Sequence, residues 1–201
     1  MDRLILASNN PGKLKELQTL FAQLGLILLP QSTFAVPEAE EPFHTFVENA
    51  LTKARHASRH TGLPAIADDA GLCVDAFDGQ PGVQTAFYAT QYGYPKGDDH
   101  NVTALLKNMQ GIKNRRAALV STLVAVRTPD DPEPLIAVGR APGLITAERQ
   151  GDNGFGFDPI MWIESHQKTF AQMTDEEKNR VSHRGRAALQ MAELIRDQWL
   201  S

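Results

Sequence analysis

Cysteine is almost missing from this chain: Cys73 is the only one in 201 residues. No intrachain disulfide can form, and a metal site built from cysteines is excluded. Long apolar runs are missing as well. The longest apolar-rich stretch, AALVSTLVAV at residues 117–126, falls far short of the ~20 residues that a membrane span requires. Excess positive charge is also absent, with 20 Lys and Arg against 24 Asp and Glu and a net charge of −4. A general grip on a nucleic acid backbone needs a cationic face, so nucleic acid is not an expected partner. A local cluster of Lys and Arg can still hold a small anion against that mildly negative total. Met1-Asp2-Arg3 leads directly into LILA, so no signal peptide is expected and the chain reads as cytoplasmic. There is no internal repeat and no low-complexity tract.

What is present is ordinary for a globular protein: 42% apolar and 22% charged residues. The length suits one large domain, or two lobes sharing a core. Residues 4–7 read as a buried strand. Pro11 then opens a helix with Leu14, Leu17, Phe21 and Leu24 on one face, ended by Gly25, and Leu26 to Leu29 reads as a second strand. Residues 37–43, PEAEEPF, form an acidic loop. Thr45 and Glu48 have the spacing of a capping box, opening a helix with Ala50, Leu51, Ala54 and Ala57 inward. AIADDAGLCVDAF reads as two short strands broken at residues 68–71. Asp98 or Asp99 is the expected cap of a helix bearing Val102, Leu105, Leu106 and Met109. Residues 116–127 and 135–141 read as a hairpin, and Thr174 with Glu177 as a second capping box. A final helix from about Arg184 to Trp199 carries Ala188, Met191, Ile195 and Trp199 on one stripe. The pattern is mixed α/β.

Four segments could carry chemistry. SNNPGK comprises Ser8, Asn9, Asn10, Pro11, Gly12 and Lys13, and it joins a strand to a helix. It is not the familiar phosphate loop, because Leu14 stands where a magnesium-ligating hydroxyl is needed and Ala7 where the first glycine belongs. A tight turn into a helix still presents N–H groups and a positive dipole end to an anion, and Lys13 adds charge. The plainer account is an ordinary turn with a surface lysine. In IADDAG, Asp68 and Asp69 are adjacent acids that need cationic company if buried. Neighbours in a strand face opposite ways, so only one of them easily enters a given cleft. Glu40 and Glu41 could add an oxygen ligand, as carboxylates, water and substrate phosphates do for Mg²⁺. In GFGFDP, residues 154–159, Phe155 and Phe157 could stack on a flat ring or could simply anchor the loop. In EEKNRVSHRG, residues 176–185, Lys178, His183 and Arg184 form a donor-rich break between helices, or a solvated helix end.

Taken in order along nearly the whole chain, ILASNNPGKLKEL, FVENALTKARHAS, LPAIADDAGLCVDAFDGQPGV, GFGFDPI and EEKNRVSHRG resemble the inosine triphosphate pyrophosphatases. The resemblance implies a single domain over residues 1–201: an elongated mixed sheet flanked by helices, with two lobes around a central nucleotide-binding cleft, and a homodimer. It implies Mg²⁺-dependent hydrolysis of ITP, dITP and XTP to the monophosphate and pyrophosphate, with no membrane partner. Ser8 to Lys13 would seat the triphosphate, with Lys53 adding charge and Ala70 beside it. Glu41 and Asp69 would hold the metal, and Asp69 would also be the general base. Phe155, Gly156, Phe157 and Asp158 would embrace the base, and Lys178, His183 and Arg184 would read its 6-oxo edge.

The chain departs from that family's pattern at three places. Ala70 replaces a usual serine, Pro42-Phe43 follows the acidic pair where a glycine is usual, and Phe87 stands where arginine is frequent. Two rival expectations differ in outcome. A pyrophosphatase of the Maf type would prefer modified pyrimidine nucleotides, and a sensor would bind nucleotide without turning it over.

Overall fold

The computed structural model describes residues 3–200. In chain order they form β1 (Arg3–Leu6), α1 (Pro11–Gln23), β2 (Ile27–Pro30), α2 (Phe46–Thr61), β3 (Ala65–Val74), α3 (Asp98–Asn108), β4 (Arg116–Val126), β5 (Leu135–Ile145), β6 (Met161–Ile163), β7 (Lys168–Thr169), α4 (Asp175–Val181) and α5 (His183–Trp199), with short 3₁₀ turns between them. The seven strands lie in the order β2-β1-β3-β4-β5-β6-β7. β1 pairs in parallel with β2 and β3, whereas β6 is antiparallel to both β5 and β7. The sheet is therefore mixed, as the sequence pattern predicts.

The chain gathers into two compact units. One contains the residues up to Asp69, Ser121–Gly139 and the residues from His183 onward; the other contains Ala70–Val120 and Arg140–Ser182.

In the first unit the strand period of two sorts side chains between two layers. Leu4 and Leu6 of β1 and Ile66 of β3 share a buried cluster with Leu17 and Phe21 of α1 and Met191 and Ile195 of α5. The intervening Ile5, Ala7, Ala65 and Ala67 meet Ala54 and Ala57 of α2 instead. So α1 and α5 cover one face of these strands and α2 covers the other. Gly139 of β5 permits a close approach to α5: a Cβ there would fall 1.9 Å from the His183 carbonyl oxygen. The second unit has a single cluster, in which Leu105 and Met109 of α3 pack with Leu72, Phe157, Ile160, Met161 and Phe170.

Helix starts follow local chemistry. The Thr45 hydroxyl accepts from the Glu48 N–H and donates to the Glu48 carboxylate. The Thr174 and Glu177 pair makes the full reciprocal box at α4. Gly62, at φ 68°, closes α2 in the left-handed conformation, which a Cβ would disfavour.

Three expectations are corrected. β3 is one continuous strand through Asp68-Asp69-Ala70-Gly71, because neighbouring strands pair with it and side-chain partners meet its charges. The N-cap of α3 is Gly97, with no side-chain bond, and Asp98 and Asp99 lie inside the first turn. β5 runs on to Ile145, four residues past the expected hairpin strand.

Candidate active site

The alternation that sorts the core also sorts the paired acids. Asp68 has the parity of Ile66 and meets cations from α1 and α5. Lys13 Nζ lies 3.0 Å from its Oδ2 and Arg184 Nε 3.2 Å from the same oxygen, while the Ser121 hydroxyl donates to Oδ1 at 2.5 Å. Arg184 also reaches Glu16 at 3.0 Å. Burial alone would push the Asp68 carboxyl up, but Lys13 and Arg184 outweigh it and hold the carboxyl well below the usual carboxylate range. Lys13 is pulled down from the ordinary lysine value, mainly by its own burial.

Asp69 has the parity of Ala67 and meets α2. Lys53 Nζ lies 3.3 Å from Asp69 Oδ1 and 3.0 Å from Glu41 Oε2, so one ammonium joins the two acids. Burial pushes the Asp69 carboxyl above its ordinary value; Lys53 and Lys13 pull it back, and Glu41 and Asp68 add to the rise. Asp69 Oδ2 is buried and has no hydrogen-bond partner among the described residues. An unbonded buried carboxylate oxygen is costly and calls for a ligand.

The acidic loop is held from the same helix. Asn49, 1% exposed, accepts from the Phe43 N–H at 3.0 Å and donates to the Phe43 carbonyl at 3.1 Å. His56 Nε2 lies 2.9 Å from the Pro37 carbonyl. Asn49, Lys53 and His56 fall at i, i+4 and i+7, one stripe of α2. Glu41 is the acid turned towards Lys53.

At the amino-terminal turn, Asn10 is the N-cap of α1 and its side chain accepts from the Lys13 N–H at 3.0 Å; Ser8 Oγ accepts from the Asn10 N–H at 3.2 Å. Pro11 has no N–H, so the turn offers an anion fewer free donors than its sequence suggests. Asn9, Asn10 and Pro11 are exposed, and Gly12 is half-buried.

The glycine-rich segment lies wholly in the second unit. Phe157 is 3% exposed and belongs to that unit's core, whereas Phe155 is half-buried. Phe157 as a stacking face is thus corrected: it anchors the loop, and Phe155 is the aromatic with surface to offer. Asp158 is buried and accepts from the Phe155 N–H at 2.9 Å and from Lys178 Nζ at 2.6 Å. The Lys178 ammonium also lies 5.1 Å from the Phe155 ring centre. Gly154 is required here, because at φ 77° a Cβ would come within 2.0 Å of Asp158 Oδ2. Arg184, expected to read the base edge, bonds Asp68 and Glu16 within the first unit. His183 is buried at the first position of α5.

Residues 4–194 match the model of the Ham1 family. The chain belongs to the Ham1 family. It is 66% identical over 197 residues to a dITP/XTP pyrophosphatase of Paracidovorax citrulli, covering 98% of this chain and 99% of that relative. A relative of the same name from Acidovorax sp. (strain JS42) is 66% identical over 199 residues, covering 99% of this chain and 97% of the relative. Among solved structures, a HAM1 protein from Coxiella burnetii superposes with a TM-score of 0.89 at 41% identity, covering 98% of this chain and 100% of that one. The Ham1 protein of Staphylococcus aureus does so with 0.84 at 32%, covering 98% and 99%.

Some residues of this Ham1 chain escaped sequence reasoning. Glu16 and Ser121 complete the network around Asp68 and Arg184 from distant parts of the chain, so no local pattern marks them. Asn49 was not among the inward positions expected of its helix, and a buried asparagine beside small apolar residues has no periodic signal of its own.

The donor set also bears on a metal. Among the described residues no group of three or more His, Cys, Asp or Glu is placed to hold one. A Mg²⁺ ion does not need such a cage; it takes one or two carboxylates and completes its shell with water and substrate phosphates. Asp69 Oδ2 and the half-exposed Glu41 carboxylate fit that manner of binding. No helix among the described residues is long and apolar enough to cross a membrane.

Proposed function

We infer that this chain is a Mg²⁺-dependent nucleoside triphosphate pyrophosphatase, acting on non-standard purine substrates (ITP, dITP and XTP) and releasing the monophosphate and pyrophosphate. The carrying observation is Asp69: a buried carboxylate with one oxygen on Lys53 and the other unbonded. The relatives named dITP/XTP pyrophosphatase support the substrate class.

Glu41 and Asp69 would hold the metal, which when bound draws negative charge off the phosphates. Asp69 accepts a proton from the water that attacks the α-phosphorus, and burial makes it a better base than an exposed aspartate. The bond from the α-phosphorus to the bridging oxygen breaks, and pyrophosphate leaves with the electron pair. Lys13 and Lys53 add positive charge around the triphosphate, and Ser8 to Gly12 shape its seat. Such a reaction needs alignment and charge neutralisation more than covalent help. Asp68 fixes Lys13 and Arg184 rather than touching substrate.

At the base end Phe155 supplies the ring face, and Lys178, 5.1 Å from that ring's centre, supplies a donor for a 6-oxo group. Adenine presents an amino group there and leaves such a donor unpaired, a mismatch that can cost of order 10⁴-fold. The same reading takes the chain as one functional domain and a cytoplasmic homodimer.

A hydrolysis panel tests the proposal. Pyrophosphate should appear from dITP, ITP and XTP with Mg²⁺ and cease on chelation with EDTA. Equal rates on ATP, or turnover that survives EDTA, would sink it.

A further inference from the structure

The two acids at the start of α3 do not cap that helix, since its N-cap is Gly97 without a side-chain bond. They hold the glycine-rich segment instead. The Gly156 N–H donates to Asp98 Oδ2 at 2.8 Å. At the other end of the segment, Arg149 donates to Asp99 Oδ1 at 2.6 Å, to the Asp99 carbonyl at 2.7 Å and to the Thr103 hydroxyl at 3.1 Å. A cavity of about 730 Å³ opens between these ties, lined on one side by Asp98 and His100 and on the other by Arg149, Asn153 and Phe155. Phe157 anchors one side of the segment in the core with Leu105 of α3, and on this flank the polar ties hold the rest of it.

Phe155 sits between two held amides. Its own N–H is bonded to Asp158, and the next one, on Gly156, is bonded to Asp98. Gly154 and Gly156 flank it at φ 77° and φ 62°. Glycine resists rotation about its backbone bonds less than any other residue, so the peptide after Phe155 would swing if released.

We propose that Asp98 is a positioning residue for nucleobase recognition: by fixing the Gly156 peptide it fixes the direction of the Phe155 ring. This rests on the reading of Phe155 as the face that receives the base. Asp98 is exposed and far along the chain from every residue given a catalytic role, so its loss should leave the chemical step and the fold intact. Its contribution should appear in substrate binding alone.

The experiment compares Asp98→Ala with Asp98→Asn, whose side-chain oxygen still accepts. Steady-state hydrolysis of dITP should show KM raised about three- to tenfold in Asp98→Ala with kcat within about twofold, the scale of one ordinary hydrogen bond lost at an exposed site. Asp98→Asn should return KM to near the wild-type value. By NMR, the Gly156 amide should exchange with solvent faster in Asp98→Ala and regain its protection in Asp98→Asn. An unchanged KM in Asp98→Ala, or a fall in kcat with KM held, overturns the proposal. A wild-type protein that turns over no deaminated purine triphosphate overturns the functional reading and with it the assignment of Phe155 to a base. The Gly156 exchange rates then decide separately whether Asp98 holds the loop.

Discussion

Around the middle of β3, carboxylates meet side-chain cations; along residues 149–158, carboxylates hold backbone amides as well. The first region is built on regular elements, with strand alternation sending Asp68 to α1 and α5 and Asp69 to α2. Its charges are buried and largely satisfy one another, and among the described residues Asp69 Oδ2 stands out as a carboxylate oxygen without a partner. The second region is irregular, with Gly151, Gly154 and Gly156 at positive φ, and its shape depends on Asp98 and Asp158 reaching peptide N–H groups. A rigid frame can leave one buried group unsatisfied, because its neighbours cannot move to relieve it. A glycine-rich segment relaxes instead, so it must be tied.

The sharpest way to break this contrast is to change the adjacent aspartates one at a time. Asp69→Asn should lower kcat by about 10³-fold or more, because the amide cannot accept the proton, and should leave the melting temperature almost unchanged. Asp68→Asn should do the reverse in kind. It uncouples Lys13 and Arg184 from a buried anion and should cost about 3–5 kcal/mol in stability, read by urea unfolding. The Asp68 carboxyl lies below its unfolded value, so its contribution is complete above about pH 4 and is lost as pH falls further. The stability gap between wild type and Asp68→Asn should therefore narrow in acid. Equal effects of the two substitutions on both rate and stability would erase the division of labour.

Within the glycine-rich region, Phe157→Ala should empty a core position and destabilise by about 3–5 kcal/mol. Phe155→Ala should change stability far less and raise KM for dITP. If Phe155→Ala proved the more destabilising, the distinction between anchor and platform would be wrong.

The smallest expected effect is on pH dependence. Activity needs Asp69 ionised, and burial sets its pKa above the ordinary carboxylate value. The rate should therefore fall in acid at a pH higher than an exposed aspartate would give. Lys53 is the strongest influence pulling that pKa down, so Lys53→Gln should move the acid limb of kcat/KM further upward. A limb that stays in place would remove Asp69 from the titration.

Much of the frame was legible in the residues themselves. The apolar spacing of α1, α2 and α5 identified their buried faces, and the Thr174 and Glu177 box marked the start of α4. Adjacent acids in a strand already implied different faces for Asp68 and Asp69. The break expected at Asp68-Asp69 failed because acids and glycine are poor strand formers in isolation. Pairing with neighbouring strands, together with the buried cations, overrode that preference. Phe157 and Phe155 were indistinguishable in sequence, since two like residues in a loop carry no periodicity to say which one is buried.

What the sequence determined by itself was local: which stretches alternate, where helices begin, and which residues could bear charge or stack. Those properties depend on neighbours a few positions away. Only the tertiary structure decided that Arg184 belongs to Asp68 and Glu16, that Asn49 clasps Phe43, and that Asp98 holds Gly156. Each of those pairings is a short-range polar contact between residues brought together by burial of apolar surface elsewhere. The force that assembles them is non-directional and leaves no mark on the partners' own sequence.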